Sequence, residues 1–293
     1  MLKGRLGLES AKIPHADRHG LLWLSKGKLW VENGTLRFLT AGSEDLPPGE
    51  YAIPFQMLSC LLLEPGVSVS HDALRLLARH GVGMVATGRG GVRFYASLPA
   101  GPETSARARR HARLWSDPDA RIQVARRMFA MRLGEILAPR DLNALRGLEG
   151  ARMKATYRRL AEQYGIRWHG RRYDRNRPET ADLPNQAINH ASSALEGAAL
   201  VAVAAAGAIP QLGFIHEEAG HAFALDVSDL FRDSVLIPVA FEAVQRFRDD
   251  ERRSLERHVR SLAGERFRKE KVVAAMIERI KGLIDADDDR RDA

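Results

Sequence analysis

"NQAINHASSALEGAALVAVAAA", residues 185–206, is the stretch that decides the fold of this chain. Small or apolar residues occupy most positions around its helical circumference, a pattern typical of a helix that is buried on nearly every side. Gly207 and Pro210 follow and end the pattern, as these residue types do at helix C-termini. The sequence therefore predicts a central helix against which the neighbouring segments pack.

Helical periodicity extends to both sides of this stretch, over residues 106–284. Asp117-Pro118 separates two predicted helices upstream, and a third predicted helix ends at Gly165. The Pro- and Gly-containing residues 99–105 predict a linker before the helices, and the charged residues 285–293 predict a frayed tail. These boundaries predict an all-α C-terminal domain.

Residues 1–98 instead alternate β-forming residues with turn signals. Asn33-Gly34 predicts a two-residue hairpin turn, and Ser70 predicts the N-cap of a single helix. The predicted fold class is α+β: a β-rich N-terminal domain, built as a small sandwich or sheet with one helix, followed by the larger helical domain.

Composition excludes several classes of protein. The 293 residues contain one cysteine, Cys60, so an intramolecular disulfide and a zinc site of paired cysteines are both excluded. The N-terminus has no continuous apolar core of a signal peptide, and the apolar run from Gly197 to Pro210 is shorter than the roughly 20 residues a membrane span needs. We expect a cytoplasmic protein with no membrane segment.

The positive charge is concentrated in the middle of the chain. Residues 101–180 carry 19 Lys and Arg against 9 Asp and Glu, a net charge of +10. Arginine supplies all of these cations except Lys154, and a guanidinium group matches two phosphate oxygens at once. Charge alone leaves two alternatives open, a nucleic-acid surface and a solvated helix surface.

Metal-binding side chains gather in "GFIHEEAGHAFALDVSDLF", residues 213–231. His216 and His221 are five residues apart, not the four that place the two histidines of a zinc protease on one helix face, so the spacing argues against that class. Asp226 and Asp229 are three apart at what the pattern predicts to be a helix start. There they also suit N-terminal capping.

Glu149 adds a third carboxylate from a distant stretch otherwise rich in cations, "RGLEGARMKATY". Glutamate, aspartate and one histidine form a donor set that suits Mg²⁺ or Mn²⁺, because these ions prefer hard oxygen ligands and accept an imidazole. Such a centre supports phosphoryl transfer. Capping carboxylates and an ordinary, partly buried His216 remain the alternative on spacing alone.

Three segments carry a family resemblance: "LRGLEGARMKATYRRLAEQYGIRWHGRRYD", "NQAINHASSALEGAAL" and "LGFIHEEAGHAFALDVSDLFRDSVLIPVAFE". In order and spacing they resemble the CRISPR-associated adaptation endonuclease and integrase family of type I-E systems. "LLLEPGVSVSHDALRLLARHGVGMVATGRGGVRFYAS" extends the resemblance into the N-terminal half. It covers about residues 5–250.

The resemblance implies a metal-dependent DNA endonuclease and integrase, an enzyme that inserts short foreign DNA fragments into a CRISPR array by attack of a 3′-hydroxyl on repeat phosphodiesters. Glu149, His216 and Asp229 match the family's Mg²⁺ or Mn²⁺ ligands, and Asp226 matches a further acidic residue of the catalytic site. The implied partners are double-stranded DNA, as protospacer and leader-repeat, and a second copy of the chain paired through the N-terminal domain. A small ferredoxin-like protein would join the dimers into a heterohexamer.

The implied DNA contacts are basic or aromatic side chains, namely Arg75, Arg93, Arg171, Arg172 and Tyr173. A solvated or packed position is the alternative for each of them. Two other functions also stay open. One is a metal-dependent nuclease that acts on branched DNA through the same site, and the other is a non-catalytic DNA-binding scaffold whose carboxylates cap helices.

Overall fold

The structure is a computed structural model that describes residues 20–42, 46–88, 94–97, 105–134, 142–172 and 181–285. The chain divides into two compact units. One contains the N-terminal strands, and the other contains the helices that follow Ser105. This N-terminal sheet region followed by a helical region confirms the predicted fold class.

The described part of the N-terminal unit has two four-stranded sheets. Its strands are β1 (Gly20–Leu24), β2 (Gly27–Glu32), β3 (Thr35–Thr40), β4 (Gly49–Ile53), β5 (Leu58–Leu63), β6 (Val67–Val69), β7 (Gly83–Thr87) and β8 (Phe94–Ser97), with α1 (His71–Arg79) between β6 and β7. The strand orders are β1-β5-β7-β8 and β4-β3-β2-β6. Phe38, Leu61 and Leu77 belong to one apolar core that both sheets share with α1.

Local turn signals in this unit are confirmed. Glu32 pairs with Thr35, so Asn33-Gly34 is the whole hairpin loop, and φ values of 49° and 74° at these two residues match a type I′ turn. The Ser70 hydroxyl accepts a hydrogen bond from the amide of Ala73 at 3.2 Å and caps α1.

The family resemblance implies a first hairpin that turns at Ser25, Lys26 and Gly27, and this expectation is wrong. β1 pairs in parallel with β5, whereas β2 pairs with β3 and β6 in the other sheet. The physical reason is that the apolar run of β5 offers β1 a buried neighbour on the same sheet, so the turn at Lys26 moves the chain between sheets. A methyl group at Gly27 would lie 2.4 Å from the Leu39 carbonyl oxygen, which requires glycine at this crossing.

The helical unit is built around one helix. Its described helices are α2 (Ala106–Ser116), α3 (Pro118–Leu133), α4 (Leu142–Gln163), α5 (Leu183–Ala206), α6 (Ala222–Asp229), α7 (Ile237–Asp249), α8 (Leu255–Lys269) and α9 (Val272–Asp285). α5 packs against α6, α7, α8 and α9, which confirms the prediction of a central buried helix. No helix among the described residues combines the length and apolar character needed to cross a bilayer.

Capping residues set the ends of these helices. Asp117 accepts hydrogen bonds from the amides of Asp119 and Ala120 at the start of α3, as the Asp117-Pro118 break predicts. Gly207 adopts a left-handed conformation, φ 69°, directly after α5. Arg107 donates to the Ala206 carbonyl at 2.6 Å and forms an ion pair with Asp285, the last residue of α9. This pair ties the ends of two helices to α2.

Candidate metal centre

Four acidic and imidazole side chains line one cleft of about 180 Å³ in the helical unit. Glu149 comes from α4, His216 from the loop that joins α5 to α6, and Asp226 and Asp229 from α6. The structure therefore brings together the site residues that the sequence places far apart. The side chains of Arg132 and Arg146 line the same cleft.

Asp226 is the buried anchor of this cleft, with no exposed surface. One carboxylate oxygen accepts the amide protons of Phe214 at 2.6 Å and Ile215 at 3.0 Å. The other accepts the amide of His216 at 3.0 Å and contacts His216 Nδ1 at 2.7 Å. Both oxygens are thus used, and Asp226 positions His216 without facing the cleft as a free ligand.

The bond to Asp226 also sets the chemistry of the His216 ring. Since an ionised carboxylate can only accept, Nδ1 carries the proton, and Nε2 is the nitrogen with a lone pair. The same hydrogen bond raises the pKa of His216 above its ordinary value, against the opposing effect of burial. A carboxylate that orients a histidine in this way is a recurrent second partner in metal sites.

Two arginines neutralise the other carboxylates. Arg132, at the end of α3, donates to Glu149 and lies 3.9 Å from the second oxygen of Asp229. Arg232 donates to the first oxygen of Asp229. Sequence reasoning missed both arginines, because nothing local in "RRMFAMRLG" distinguishes Arg132 from the many exposed arginines of the chain.

The donor set fits Mg²⁺ or Mn²⁺, although the carboxylates are bound to guanidinium groups. Among the described residues no three acidic, histidine or cysteine side chains stand close enough together to hold a metal ion. Glu149, His216 and Asp229 nevertheless share one cleft and offer two hard oxygen groups and one oriented imidazole. Positive charge already sits against both carboxylates, as it would with a divalent cation.

The loop that carries His216 is held at successive carbonyl groups. Side chains of α2, α3 and α4 donate to these carbonyls: His111 to Leu212 at 2.8 Å, Trp115 to Gly213 at 2.9 Å, Arg121 to Phe214 at 3.2 Å and Arg146 to Ile215. Together with the amides bound by Asp226, both hydrogen-bonding edges of the loop are fixed. His216 is thereby positioned by four helices.

His111 is the most buried of these donors. Its Nδ1 accepts the Ile209 amide at 3.2 Å, so Nε2 must be the protonated nitrogen that donates to Leu212. Burial lowers the pKa of His111 to about 4 from an ordinary value of 6.5. Because the folded pKa lies below the unfolded one, the unfolded chain binds more protons as the pH falls through this window. The folded state therefore loses stability between about pH 6.5 and about pH 4.

The predicted helix start at Asp226 and Asp229 is wrong. α6 begins after His221 and ends at Asp229, so both aspartates lie in its C-terminal half and neither caps an N-terminus. The physical reason is that the apolar residues of "HAFAL" already form the first turn, buried against α5. The capping alternative for these carboxylates is excluded with it.

Two further side chains of the loop, those of Glu217 and His221, have structural partners. Glu217 pairs with Arg121, and His221 contacts Glu196 at 2.5 Å. Residues 213–221 do not form a helix, so the geometry of a zinc protease is absent from this described stretch. Neither His221 nor Glu217 lines the cleft.

The predicted DNA contacts occupy different environments. Arg75 is 74% exposed and pairs with Asp72 at 3.1 Å. Arg171 donates to the side-chain oxygens of Asn185 at 3.0 Å and Asn189 at 2.7 Å, whereas Arg172 uses its backbone amide to bond Asn185 and has an exposed side chain. Arg93 and Tyr173 lie outside the described residues.

Comparison with known proteins adds independent information. The family model for CRISPR associated protein Cas1 matches residues 21–138 and 130–260. The CRISPR-associated endonuclease Cas1 of Escherichia coli K12 is 38% identical over 94% of this chain and 87% of its own length, and that of Geobacter sulfurreducens is 36% identical over the same shares. A solved TtCas1–DNA complex is 32% identical, with a TM-score of 0.79 over 90% of this chain and 96% of the other. The chain belongs to the Cas1 family of CRISPR-associated endonucleases.

Proposed function

We propose that this protein is a divalent-metal-dependent DNA endonuclease and integrase that inserts short DNA fragments into a CRISPR array. The observation that carries the proposal is the cleft that Glu149, His216 and Asp229 line together. Three chain segments converge there on a donor set suited to Mg²⁺ or Mn²⁺. Family membership and the likeness to a Cas1 chain solved with DNA support the same function.

The side chains would share the work as follows. Glu149 and Asp229 would supply hard oxygen ligands. His216 would supply Nε2, which stays available because Nδ1 is bonded to Asp226. A bound Mg²⁺ or Mn²⁺ would favour the attacking hydroxyl and neutralise charge at the scissile phosphate. Since the described cleft contains no cysteine or serine nucleophile, the proposed reaction is direct attack of a DNA 3′-hydroxyl on a repeat phosphodiester.

Cations around the cleft would hold the DNA backbone. Arg146 lines the cleft, is exposed, and is fixed through its bond to the Ile215 carbonyl, which places a guanidinium group where a phosphate would approach. We extend the proposed duplex contacts to Arg75, Arg171 and Arg172, and to Arg93 and Tyr173 from the sequence resemblance. Such contacts are sequence-tolerant, because they read phosphates and not bases.

The assembly proposal rests on the sequence resemblance. We propose a type I-E protein that acts in the cytoplasm, pairs through the N-terminal domain of residues 1–98, and uses residues 106–284 for catalysis. Two such dimers would join through a small ferredoxin-like partner into a heterohexamer.

The test is strand transfer in a defined mixture. The protein and its small partner are incubated with a 3′-hydroxyl-ended duplex and a supercoiled plasmid carrying a leader and repeat, in Mg²⁺, Mn²⁺ or EDTA. We expect joined products that require metal and disappear in Glu149→Ala. Glu162→Ala, an exposed change on the same helix, is the control and should retain joining.

Other outcomes would point to different functions. Metal-dependent cutting without joining would support a nuclease of branched DNA. Tight DNA binding without either reaction in any metal would indicate a scaffold, and would refute the proposed chemistry.

A further inference from the structure

Arg132 lies beside three carboxylates, those of Glu149 and Asp229 in the cleft and that of Asp233 next to it, and its side chain is only 4% exposed. Its Nη1 donates to Glu149 and lies 3.9 Å from Asp229. Its Nη2 lies 3.7 Å from Asp233, a distance too long for a hydrogen bond. The guanidinium group is therefore bonded to one carboxylate while a second one, unused by the proposed mechanism, lies beside it.

Buried atoms on both sides of this gap lack hydrogen-bond partners. Within the described ranges, Arg132 Nε and Asp233 Oδ1 are both buried and unsatisfied. Arg132 Nη2 donates instead to Met153 Sδ at 2.7 Å, although a thioether is a weak acceptor. Since most buried polar atoms in folded proteins are satisfied, an unused donor on Arg132 and an unused acceptor on the neighbouring Asp233 call for an explanation.

The position of Asp233 is set by an irregular piece of helix. Residues Arg232–Leu236 form a π-helical turn that begins three residues after α6 ends at Asp229, and Asp233 lies in this turn. Such turns occur often at functional sites, where they re-aim a side chain. Here the turn brings a carboxylate next to Arg132 but outside the set of cleft-lining residues.

A divalent cation and Arg132 cannot both occupy the same carboxylates, because like charges at such distances repel strongly where water is scarce. Arg232 need not move, since it uses only the first oxygen of Asp229. The bond from Arg132 to Glu149 must open, and the closest carboxylate that can receive the freed guanidinium is Asp233.

We propose that Arg132 is a built-in substitute cation that neutralises Glu149 and Asp229 until a metal ion arrives, and that Asp233 is the site to which it then moves. This inference rests on the proposed metal role of Glu149 and Asp229. It makes Asp233 a positioning residue: it does not touch the metal, but it determines how readily Arg132 gives way.

Mn²⁺ binding to the DNA-free protein, measured by isothermal titration calorimetry, tests the exchange without relying on activity. We expect Asp233→Asn to weaken Mn²⁺ binding about tenfold, within the usual range of coupling between sites. Asp233→Glu should restore much of the affinity. Glu162→Ala, on the exposed side of α4, is the control that should bind as the wild type does.

A double-mutant cycle separates exchange from simple attraction. If Asp233 acts by receiving Arg132, its replacement by Asn has no effect once Arg132→Gln has removed the guanidinium. If Asp233 only attracts the metal through its charge, the same tenfold loss persists in the Arg132→Gln background, and the exchange is refuted. Should Arg132→Gln fail to fold, a crystal structure of the wild-type Mn²⁺ complex decides: Arg132 bonded to Asp233 supports the exchange, and Arg132 still bonded to Glu149 overturns it.

The same titrations distinguish this failure from failure of the metal centre. Wild-type affinity in Asp233→Asn, with binding lost in Glu149→Ala, would overturn the exchange alone. Undiminished binding in Glu149→Ala would overturn the proposed centre and the exchange together.

Discussion

Replacing Asp226 by Asn is the sharpest test of how the site is built. The wild-type carboxylate accepts four donors, two at each oxygen: the amides of Phe214, Ile215 and His216 and the His216 ring. Asparagine has nearly the same shape but only one oxygen. Its NH₂ group would face two of these donors in a site with no exposed surface.

The expected loss follows from counting the donors left without an acceptor. Each buried donor without a partner costs about 2 kcal/mol, so two of them lower the free energy of unfolding by about 4 kcal/mol. The loop also loses the anchor that fixes its amide edge, while its carbonyl edge stays bound to His111 and Trp115. We therefore expect the His216 ring to lose its fixed orientation as well.

Urea unfolding in EDTA at neutral pH, followed by far-ultraviolet circular dichroism, measures this loss in the helical unit. Asp119→Asn is the matched control, because this exposed aspartate should change the free energy of unfolding by no more than about 0.5 kcal/mol. A value for Asp226→Asn within about 1 kcal/mol of the wild type would refute the anchor argument, since buried donors would then be finding other partners.

Three further perturbations probe other parts of the molecule. The wild type should lose about 2 kcal/mol more of its free energy of unfolding between about pH 7 and about pH 5 than His111→Gln does, because glutamine does not titrate. Urea unfolding curves at the two pH values measure this loss for each protein. An equal loss in both proteins would contradict the buried neutral histidine. Gly213→Ala places a methyl group 2.3 Å from the His216 carbonyl oxygen, so both thermal stability and Mn²⁺ affinity should fall, and retention of both would show that the loop yields easily. Arg172→Ala should weaken duplex binding and reduce its salt dependence by about one unit of slope without affecting stability, whereas Arg171→Ala should also lower the free energy of unfolding by about 1 kcal/mol. Equal effects of the two variants in both assays would contradict this division.

Local chemistry made much of the fold predictable. The Asn33-Gly34 turn, the Ser70 cap, the Asp117-Pro118 break and the stop at Gly207 each depend on a few adjacent residues, and each lies where the sequence predicts it. The small and apolar residues of α5 likewise predict burial from their own pattern.

Features that depend on distant partners were not predictable in this way. Nothing in residues 20–27 indicates that β1 pairs with β5 rather than with β2, because strand partners are chosen by the whole core. The helix start wrongly predicted at Asp226 has a similar origin. In sequence, a carboxylate that binds the amides of a loop cannot be told from one that caps its own helix.

The candidate site likewise contains some residues that the sequence predicts and others that only the structure reveals. Glu149, His216 and Asp229 could be proposed as one site because the family resemblance connects residues that are far apart in sequence, and the structure places all three on one cleft. Arg132 and Asp233 were missed, since their importance comes only from burial between α3, α4 and the turn after α6. The Arg132 side chain is 4% exposed, whereas those of Arg121 and Arg232 are 20% and 32% exposed, and exposure is a property of the folded chain.

Because a chain is synthesised from its N-terminus, the partners that hold the His216 loop become available at different times. The side chains that donate to it lie on α2, α3 and α4, between 69 and 101 residues ahead of the carbonyls they bind, and Asp226 is synthesised after the loop itself. A nascent chain that stops before α6 carries the arginine-rich helices but lacks both Asp226 and Asp229. An unfinished product of this kind therefore lacks two of the four acidic and imidazole side chains that line the cleft, so under the proposed function it would carry cations without a complete metal centre.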